Sequence, residues 1–515
     1  MNNQSTCFIS KNFETIPFVE IILPYAECFL ESLKSKLPDN AKEKLHLELV
    51  KELSTFSEII LQHSLDSFVL EGNTEIEIFT AKMNQSLAVD FPVLDYMMKQ
   101  KTANFSRHIS KIIDRFYNDY EKIKAVFKLS EVQITDIDAS LGDGHNGEGT
   151  ALIHLSNKTK LIYKPRNVNL TNSYNVLINW INQKLKLDLK TFQALDCGEY
   201  GWLEFVNNEE ITSENDLEEY YHKAGALLAT AYLLGSKDCH RENVIASGKN
   251  PVIIDHETII QPFLSNGLIN NSWDDQCKIP NLSVLENALI VNDDTGVPIH
   301  FAGYGVHNNL QATELEKRII NPNTINSKRV TRFLFTKIAE NNIPKFKDNY
   351  VFPTNYSSSF LEGFSIVYDL FSNNKEELKS LNSPIEVFKN QEVRYVWRPT
   401  FIYFKILKFM RTAALMTSFE VYNAKLEELL SKAYIGQNME RYKFIFDFEL
   451  QQMLNGDIPI FSLNSLDNAL NCNESFKIFE FNCIENIKRR IDAISPEHKK
   501  EQLKFINRWI NIKGN

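Results

Sequence analysis

The chain has 515 residues and a net charge of −10, from 56 Lys and Arg against 66 Asp and Glu. Hydrophobic residues make up 43% and charged residues 24%, the balance of a folded globular protein, which excludes a largely disordered or fibrous chain. The acidic excess provides no basic surplus for a nucleic-acid backbone, so nucleic acid is excluded as the main partner, while a local basic cleft stays compatible.

The length leaves room for about two to four domains. Seven cysteines are scattered from Cys7 to Cys483 with no C-x-x-C pair, which argues against a disulfide framework and a zinc ribbon. Reduced thiols in a cytoplasmic protein fit that usage. The N-terminus lacks the basic-then-apolar pattern of a secretion signal. The most apolar long stretch, 401–416, is broken by Lys405, Lys408 and Arg411, so no membrane span is expected.

In chain order, residues 41–127 read as helical. Phe105, Ile109, Ile112, Ile113, Phe116, Tyr120, Ile123 and Phe127 form one apolar face of a long helix. The character changes near Lys128. Two strand-like runs, 131–137 and 150–155, flank the glycine cluster 142–149, and a turn at 156–159 leads into a third run, 160–163. An amphipathic helix carried by Tyr174, Leu177, Ile178, Ile181 and Leu185 follows. Strand character returns at 191–195 and 201–206. A long helix covers 216–235, with Gly235 as its C-cap, and the apolar run 251–254 ends in Asp255. The chain then reads as loop-rich to about 315 and helical from about 330 onward.

Five features fall in a meaningful order. Glycines in 142–149 let backbone N–H groups approach phosphate oxygens. Lys164, at the end of the third strand run, can neutralise nucleotide phosphates. The strand at Trp202–Val206, with Glu204 and Val206 at its end, is placed like a kinase hinge that pairs with adenine through its backbone. In Asp238-Cys239-His240-Arg241-Glu242-Asn243, Asp238 can orient or deprotonate an attacking hydroxyl and Asn243 can offer an oxygen to magnesium. His240 can support the loop or contact phosphate. Asp255 and Glu257, after an apolar strand, are placed to bind the same metal. Glycine loop, strand lysine, hinge-like strand, long helix, D-x-H-x-x-N and metal aspartate, in that order, is a phosphotransferase layout. The helix after Lys164 offers no glutamate to pair with the lysine, because Asp188 is the only acid in 171–190. Cys239-His240 has no second Cys or His cluster at ligand spacing, so no zinc is expected.

These segments resemble the dehydratase domain of class II lanthipeptide synthetases, the LanM enzymes. The residues that carry the resemblance are Asp143-Gly144-His145-Asn146-Gly147, Tyr163-Lys164-Pro165-Arg166, Tyr200-Gly201-Trp202-Leu203-Glu204, the D-x-H-x-x-N loop and Asp255-His256-Glu257. Further matches are Asp90-Phe91-Pro92-Val93-Leu94, Leu361-Glu362-Gly363-Phe364, the run from Val393 through Arg394 to Thr400, and Gly456-Asp457-Ile458-Pro459-Ile460-Phe461.

The resemblance implies an α+β fold with an atypical, lipid-kinase-like two-lobed core. A helical region at 1–127 precedes a kinase-like core at 128–325 that holds ATP and metal. A helical region at 326–515 carries the elimination motif. It further implies a peptide dehydratase that phosphorylates Ser or Thr of a leader-bearing precursor with ATP and Mg2+, then eliminates the phosphate. Lys164, Asp238 and His240 would serve phosphorylation, and Arg394 and Thr400 elimination. Asp143, His145, Lys164, Arg166, Glu204 and Val206 would hold the nucleotide, and Asn243, Asp255 and Glu257 the metal. The spacing of Arg394 and Thr400, with Pro399 between them, predicts an extended or broken segment rather than one helix face. No cyclase motif with Cys, Cys and His follows, so a separate cyclase or other tailoring enzyme is an expected partner. The alternatives are a kinase without elimination activity and a non-catalytic pseudokinase that binds the peptide.

Overall fold

The computed structural model describes residues 13–33, 37–145, 147–264, 277–305, 311–337, 341–434, 439–473 and 476–512. Five helices come first: α1 (Val19–Ser32), α2 (Asp39–Leu70), α3 (Ile76–Asp90), α4 (Pro92–Asn118) and α5 (Tyr120–Phe127). Three strands follow, β1 (Ile134–His145), β2 (Glu148–Leu155) and β3 (Lys160–Lys164), then α6 (Asn169–Leu185). Next are β4 (Ala194–Asp196), β5 (Gly201–Glu204), α7 (Glu214–Leu234), β6 (Val244–Ser247) and β7 (Asn250–Ile253). Four more strands are β8 (Gln311–Ile320), β9 (Lys328–Lys337), β10 (Lys345–Phe346) and β11 (Asn349–Tyr350). The chain continues through α8 (Ser357–Asn373), α9 (Lys375–Lys379), β12 (Glu392–Tyr395), α10 (Thr400–Met410), α11 (Ala413–Met416) and α12 (Phe419–Ser431). It closes with α13 (Met439–Leu454), β13 (Phe461–Asn464), α14 (Cys483–Ala493) and α15 (Pro496–Ile510). The fold is α+β, with small antiparallel sheets among many helices. No helix among the described residues is long and apolar enough to cross a membrane.

Two differences from the sequence reading have local causes. The single long helix expected through 105–127 divides at Asp119, whose backbone leaves helical geometry (φ −94°, ψ 4°) while still accepting from the Ile123 N–H. The stretch expected to be helical from about 330 also contains strands. In Lys328–Lys337, β-branched and aromatic residues (Val330, Thr331, Phe333, Phe335) favour the ribbon with β8.

The chain forms two compact units. The first comprises Met1–Pro165, Thr313–Leu334 and Thr400–Pro459, and the second Arg166–Ala312, Phe335–Pro399 and Ile460–Asn515.

In the first unit, Leu45, Leu49, Leu53 and Ile60 of α2 recur at helical spacing and are buried. Phe29 of α1 meets Phe105 of α4 edge to face, with centroids 5.1 Å apart. Strands β1, β2 and β3 form an antiparallel meander. The glycine cluster is therefore the tip of a hairpin, with His145 opposite Glu148.

In the second unit, α7 is buried nearly all round and packs tightly on α8. Close approach needs glycine on both helices. A Cβ on Gly225 would lie 2.0 Å from the Phe360 carbonyl oxygen, and one on Gly363 would lie 1.8 Å from that of His222. Helix α7 ends as its sequence predicts, with Gly235 left-handed at φ 70°.

Candidate functional site

Helix α7 hands the chain to the D-x-H-x-x-N loop of the second unit. Asp238 sits there with φ 61°, a left-handed geometry that aspartate tolerates better than most residues. Three backbone donors anchor the loop. Lys237 N–H donates to the Thr258 carbonyl (3.1 Å), Cys239 N–H to Asn287 (2.8 Å) and Arg241 N–H to Phe301 (3.1 Å). His240 Nδ1 accepts from the Glu242 N–H at 3.2 Å, so the ring's proton belongs on Nε2, 3.4 Å from the Asp238 carboxylate. The imidazole also packs on Phe301, with centroids 4.6 Å apart. His240 thus orients Asp238 and braces the loop.

Asn243 and Asp255 are brought together by the β6–β7 hairpin. Val244 pairs with Ile253, and the Ile254 N–H donates to the Asn243 carbonyl at 3.0 Å. The residue entering the hairpin and the residues leaving it therefore lie side by side. The Asn243 side-chain amide donates to the Asp238 carbonyl at 2.8 Å, which directs its own oxygen elsewhere as an acceptor. Asp255 accepts from the Glu257 N–H at 3.2 Å.

Glu257 ties two arginines together. Its Oε2 lies 2.7 Å from Arg166 Nη1 and 3.5 Å from Arg394 Nη1. Arg394, on β12, also donates its backbone N–H to the Glu257 carbonyl at 2.9 Å. Two guanidinium groups thus share one carboxylate. Glu257, expected among the metal ligands, thus has its carboxylate engaged by arginines.

Asp238 keeps 37% of its side chain open to solvent, yet protein surrounds it on most sides. That burial raises its pKa, against the pull of His240 and Arg394, with Asp255 and Glu257 adding repulsion. A carboxylate shifted upward is a better proton acceptor.

Glu204 and Val206 also belong to the second unit. Glu204 ends β5, where its N–H donates to the Gln193 carbonyl and its carboxylate accepts from the Gln193 N–H, both at 2.9 Å. Val206 is buried just beyond the strand.

Lys164, His145, Asp143 and Thr400 belong to the first unit. Lys164 ends β3 and is 7% exposed. Asp143 lies on β1, and its side chain, like Asn146, is outside the described residues. Buried His145 donates from Nδ1 to the Ile458 carbonyl at 2.7 Å, and the Gly147 N–H donates to the Asp457 carboxylate at 3.1 Å. The G-H-N-G and G-D-I-P segments, more than three hundred residues apart in sequence, therefore lock together at the hairpin tip. At least one glycine-loop N–H is spent on this clamp. Thr400 is the first residue of α10, whereas Arg394 lies on β12, so the two residues expected to serve elimination sit on a strand and a helix start. The break between them follows the expectation drawn from Pro399.

Residues that the motif reading did not single out complete the arrangement. Asp457 clamps the glycine hairpin, and its motif was visible without a role. Gln261 and Asn486 support the strand that carries Arg394, and no sequence signal marks either.

The family described as a domain of unknown function, DUF4135, matches residues 91–464. The chain belongs to this family. It is also similar to the lacticin 481/lactococcin biosynthesis protein LcnDR2 of Lactococcus lactis subsp. lactis, with 26% identity over 483 residues. The alignment covers 87% of this chain and 50% of that protein, so the chain spans about half the length of its curated relative. Both matches support the LanM-like resemblance that its motifs carry.

Proposed function

We propose that the protein is a peptide Ser/Thr dehydratase of lanthipeptide-type biosynthesis. It phosphorylates a hydroxyl of a precursor peptide with ATP and then eliminates the phosphate to leave dehydroalanine or dehydrobutyrine. The observation that carries this reading is the pairing of two different groups in one unit. One is the Asp238 loop with Asn243 and Asp255 beside it, and the other is the two-arginine clamp on Glu257. A kinase-like core is supported by the order of elements: an antiparallel meander ending in Lys164, then β5, α7, the D-x-H-x-x-N loop and the β6–β7 hairpin ending at Asp255. The relative's printed role in lacticin 481 biosynthesis points to a precursor peptide as substrate.

The donor set fits a hard divalent cation. Asn243 and Asp255 offer oxygen atoms from adjacent ends of one hairpin, which suits Mg2+. When bound, such an ion supplies charge neutralisation for the phosphates of ATP. Asp238 accepts the proton of the attacking Ser or Thr hydroxyl, held toward its work by His240. Lys164 neutralises nucleotide phosphate in this scheme. In the second step a base removes the α-proton, the Cα=Cβ bond forms, and the Cβ–O bond breaks as inorganic phosphate leaves. Arg394, with Arg166 beside the shared carboxylate, stabilises the departing phosphate. Thr400 joins that step in the same scheme.

Co-expression with a Ser/Thr-containing precursor peptide and intact-mass analysis tests this function. Loss of one water per modified residue supports it. A phosphate that stays on the peptide supports the kinase-only alternative, and an unmodified peptide supports a non-catalytic binding role.

A further inference from the structure

Helix α14 lies beyond the family-matched stretch 91–464, yet it touches the supports of both chemical elements. Asn486 and Arg490 are four residues apart and share one helix face. Each is 2% exposed. The Asn486 side-chain amide donates to the backbone carbonyl of Gln261 at 2.9 Å. The Gln261 side chain, itself buried, donates onward to the backbone carbonyl of Arg394 at 2.8 Å. One side of the helix therefore ends at the strand residue whose guanidinium meets Glu257.

Arg490 leads the other way. Its Nη1 donates to the Tyr232 carbonyl at 3.2 Å, in the last turn of α7, where the same carbonyl also accepts from the Gly235 N–H at 3.1 Å. Its Nη2 donates to Glu286 at 2.5 Å. The next residue, Asn287, accepts the Cys239 N–H at 2.8 Å and so fixes the loop immediately after Asp238. Burial would raise the Glu286 pKa, but Arg490, with Lys237 and Arg489, reverses this and leaves it lowered, so the pair is ionised.

The helix is itself firmly held. Asn482 and Glu485 form a capping box at its start, and Arg489 stacks over Phe263, 3.7 Å from the ring centroid.

We infer that α14 is a shared brace. Asn486 positions Arg394 through Gln261, and Arg490 positions the Asp238 loop through the end of α7 and Glu286. Neither residue touches substrate. The two arms leave the helix at different residues and reach different elements, Gln261 and β12 on one side and the end of α7 with Glu286 on the other. The chemical roles of the arms rest on the two-step reading above, while the bracing itself does not.

Hydrogen–deuterium exchange on the full chain tests the bracing without reference to any reaction. Asn486→Ala is expected to speed exchange in residues 391–398 roughly five- to ten-fold, the effect of one lost buried hydrogen bond, and to leave 236–243 at the wild-type rate. Arg490→Lys is expected to do the reverse. Asn486→Asp, of the same size but without the donor, replaces the alanine variant if that one does not fold. No local change, or an equal change in both segments for both variants, overturns the brace.

The chemistry is read separately, with a synthetic phosphoserine peptide for phosphate loss and its unphosphorylated form with ATP for phosphate transfer. Asn486→Ala is expected to slow phosphate loss while phosphate transfer stays near wild type. Equal slowing of both steps overturns the separate arms. Wild-type protein that shows the expected exchange pattern but performs neither step overturns the two-step reading and leaves the brace standing.

Discussion

Arg394 meets Glu257 twice. Its backbone N–H donates to the Glu257 carbonyl at 2.9 Å, and its guanidinium stands 3.5 Å from the Glu257 carboxylate. The same carboxylate oxygen holds Arg166 at 2.7 Å. Glu257 therefore holds two guanidinium groups beside one carboxylate oxygen. Glu257→Gln keeps the size and removes the charge. It is expected to slow elimination from a phosphoserine peptide roughly ten-fold, the loss of one charge-assisted contact. A variant rate equal to wild type places Glu257 outside that step.

Asp238 provides a pH prediction. Burial raises its pKa, and Arg394 opposes the rise. In the proposed scheme phosphate transfer uses the ionised carboxylate, so its rate is expected to fall as pH drops through that raised value. Arg394→Gln removes an opposing cation and is expected to move the acid limb of phosphate transfer to higher pH. A pH–rate profile of phosphate transfer reports this even though Arg394 is assigned to the other step. An unshifted limb removes the electrostatic link.

His108, on α4, provides a stability prediction. Burial lowers its pKa from 6.5 to about 4, and its Nε2 accepts from the Gly149 N–H at 3.4 Å. The folded state holds the ring neutral, while the unfolded chain takes up a proton below its ordinary value. The contribution is fully present above pH 6.5 and is lost as pH falls toward 4, a change on the order of 3 kcal/mol. Denaturant unfolding between pH 7 and pH 4 is expected to show a shallower loss in His108→Gln than in wild type. Parallel curves for the two proteins contradict the assignment.

The α7–α8 contact provides a packing prediction. A Cβ at Gly363 would lie 1.8 Å from the His222 carbonyl oxygen. Gly363→Ala must push the helices apart, with a loss of roughly 1–3 kcal/mol or more. Differential scanning calorimetry is expected to show a lower Tm, and an unchanged Tm contradicts the close approach.

What the sequence revealed depends on the range of the forces involved. Helix α7 and its Gly235 cap follow from local pattern and backbone freedom, and the structure shows both. The break between Arg394 and Thr400 was legible because Pro399 disfavours helix in the residue before it. The strands β8 and β9 were missed because neither run alternates apolar and polar residues strictly, although 328–337 is rich in β-branched and aromatic residues. The clamp of Gly147 by Asp457 and the relay from Asn486 through Gln261 to Arg394 join residues separated by hundreds of positions. Asn, Gln and Asp at such sites carry no periodic signature, so tertiary contact alone reveals them. Glu257 was recognised as an acidic site residue, but its arginine partners became visible when distant β12 was placed beside it.

The most direct test of the two-step account compares Asp238→Asn with Arg394→Ala, each incubated with precursor peptide, ATP and Mg2+ and read by intact mass. The account predicts unmodified peptide from Asp238→Asn. It predicts phosphopeptide from Arg394→Ala, with elimination slowed roughly 10²–10³-fold, as for loss of one preorganised electrostatic donor. Unmodified peptide from both variants, beside a wild type that dehydrates, would contradict the division of labour between the Asp238 loop and the Arg394 clamp.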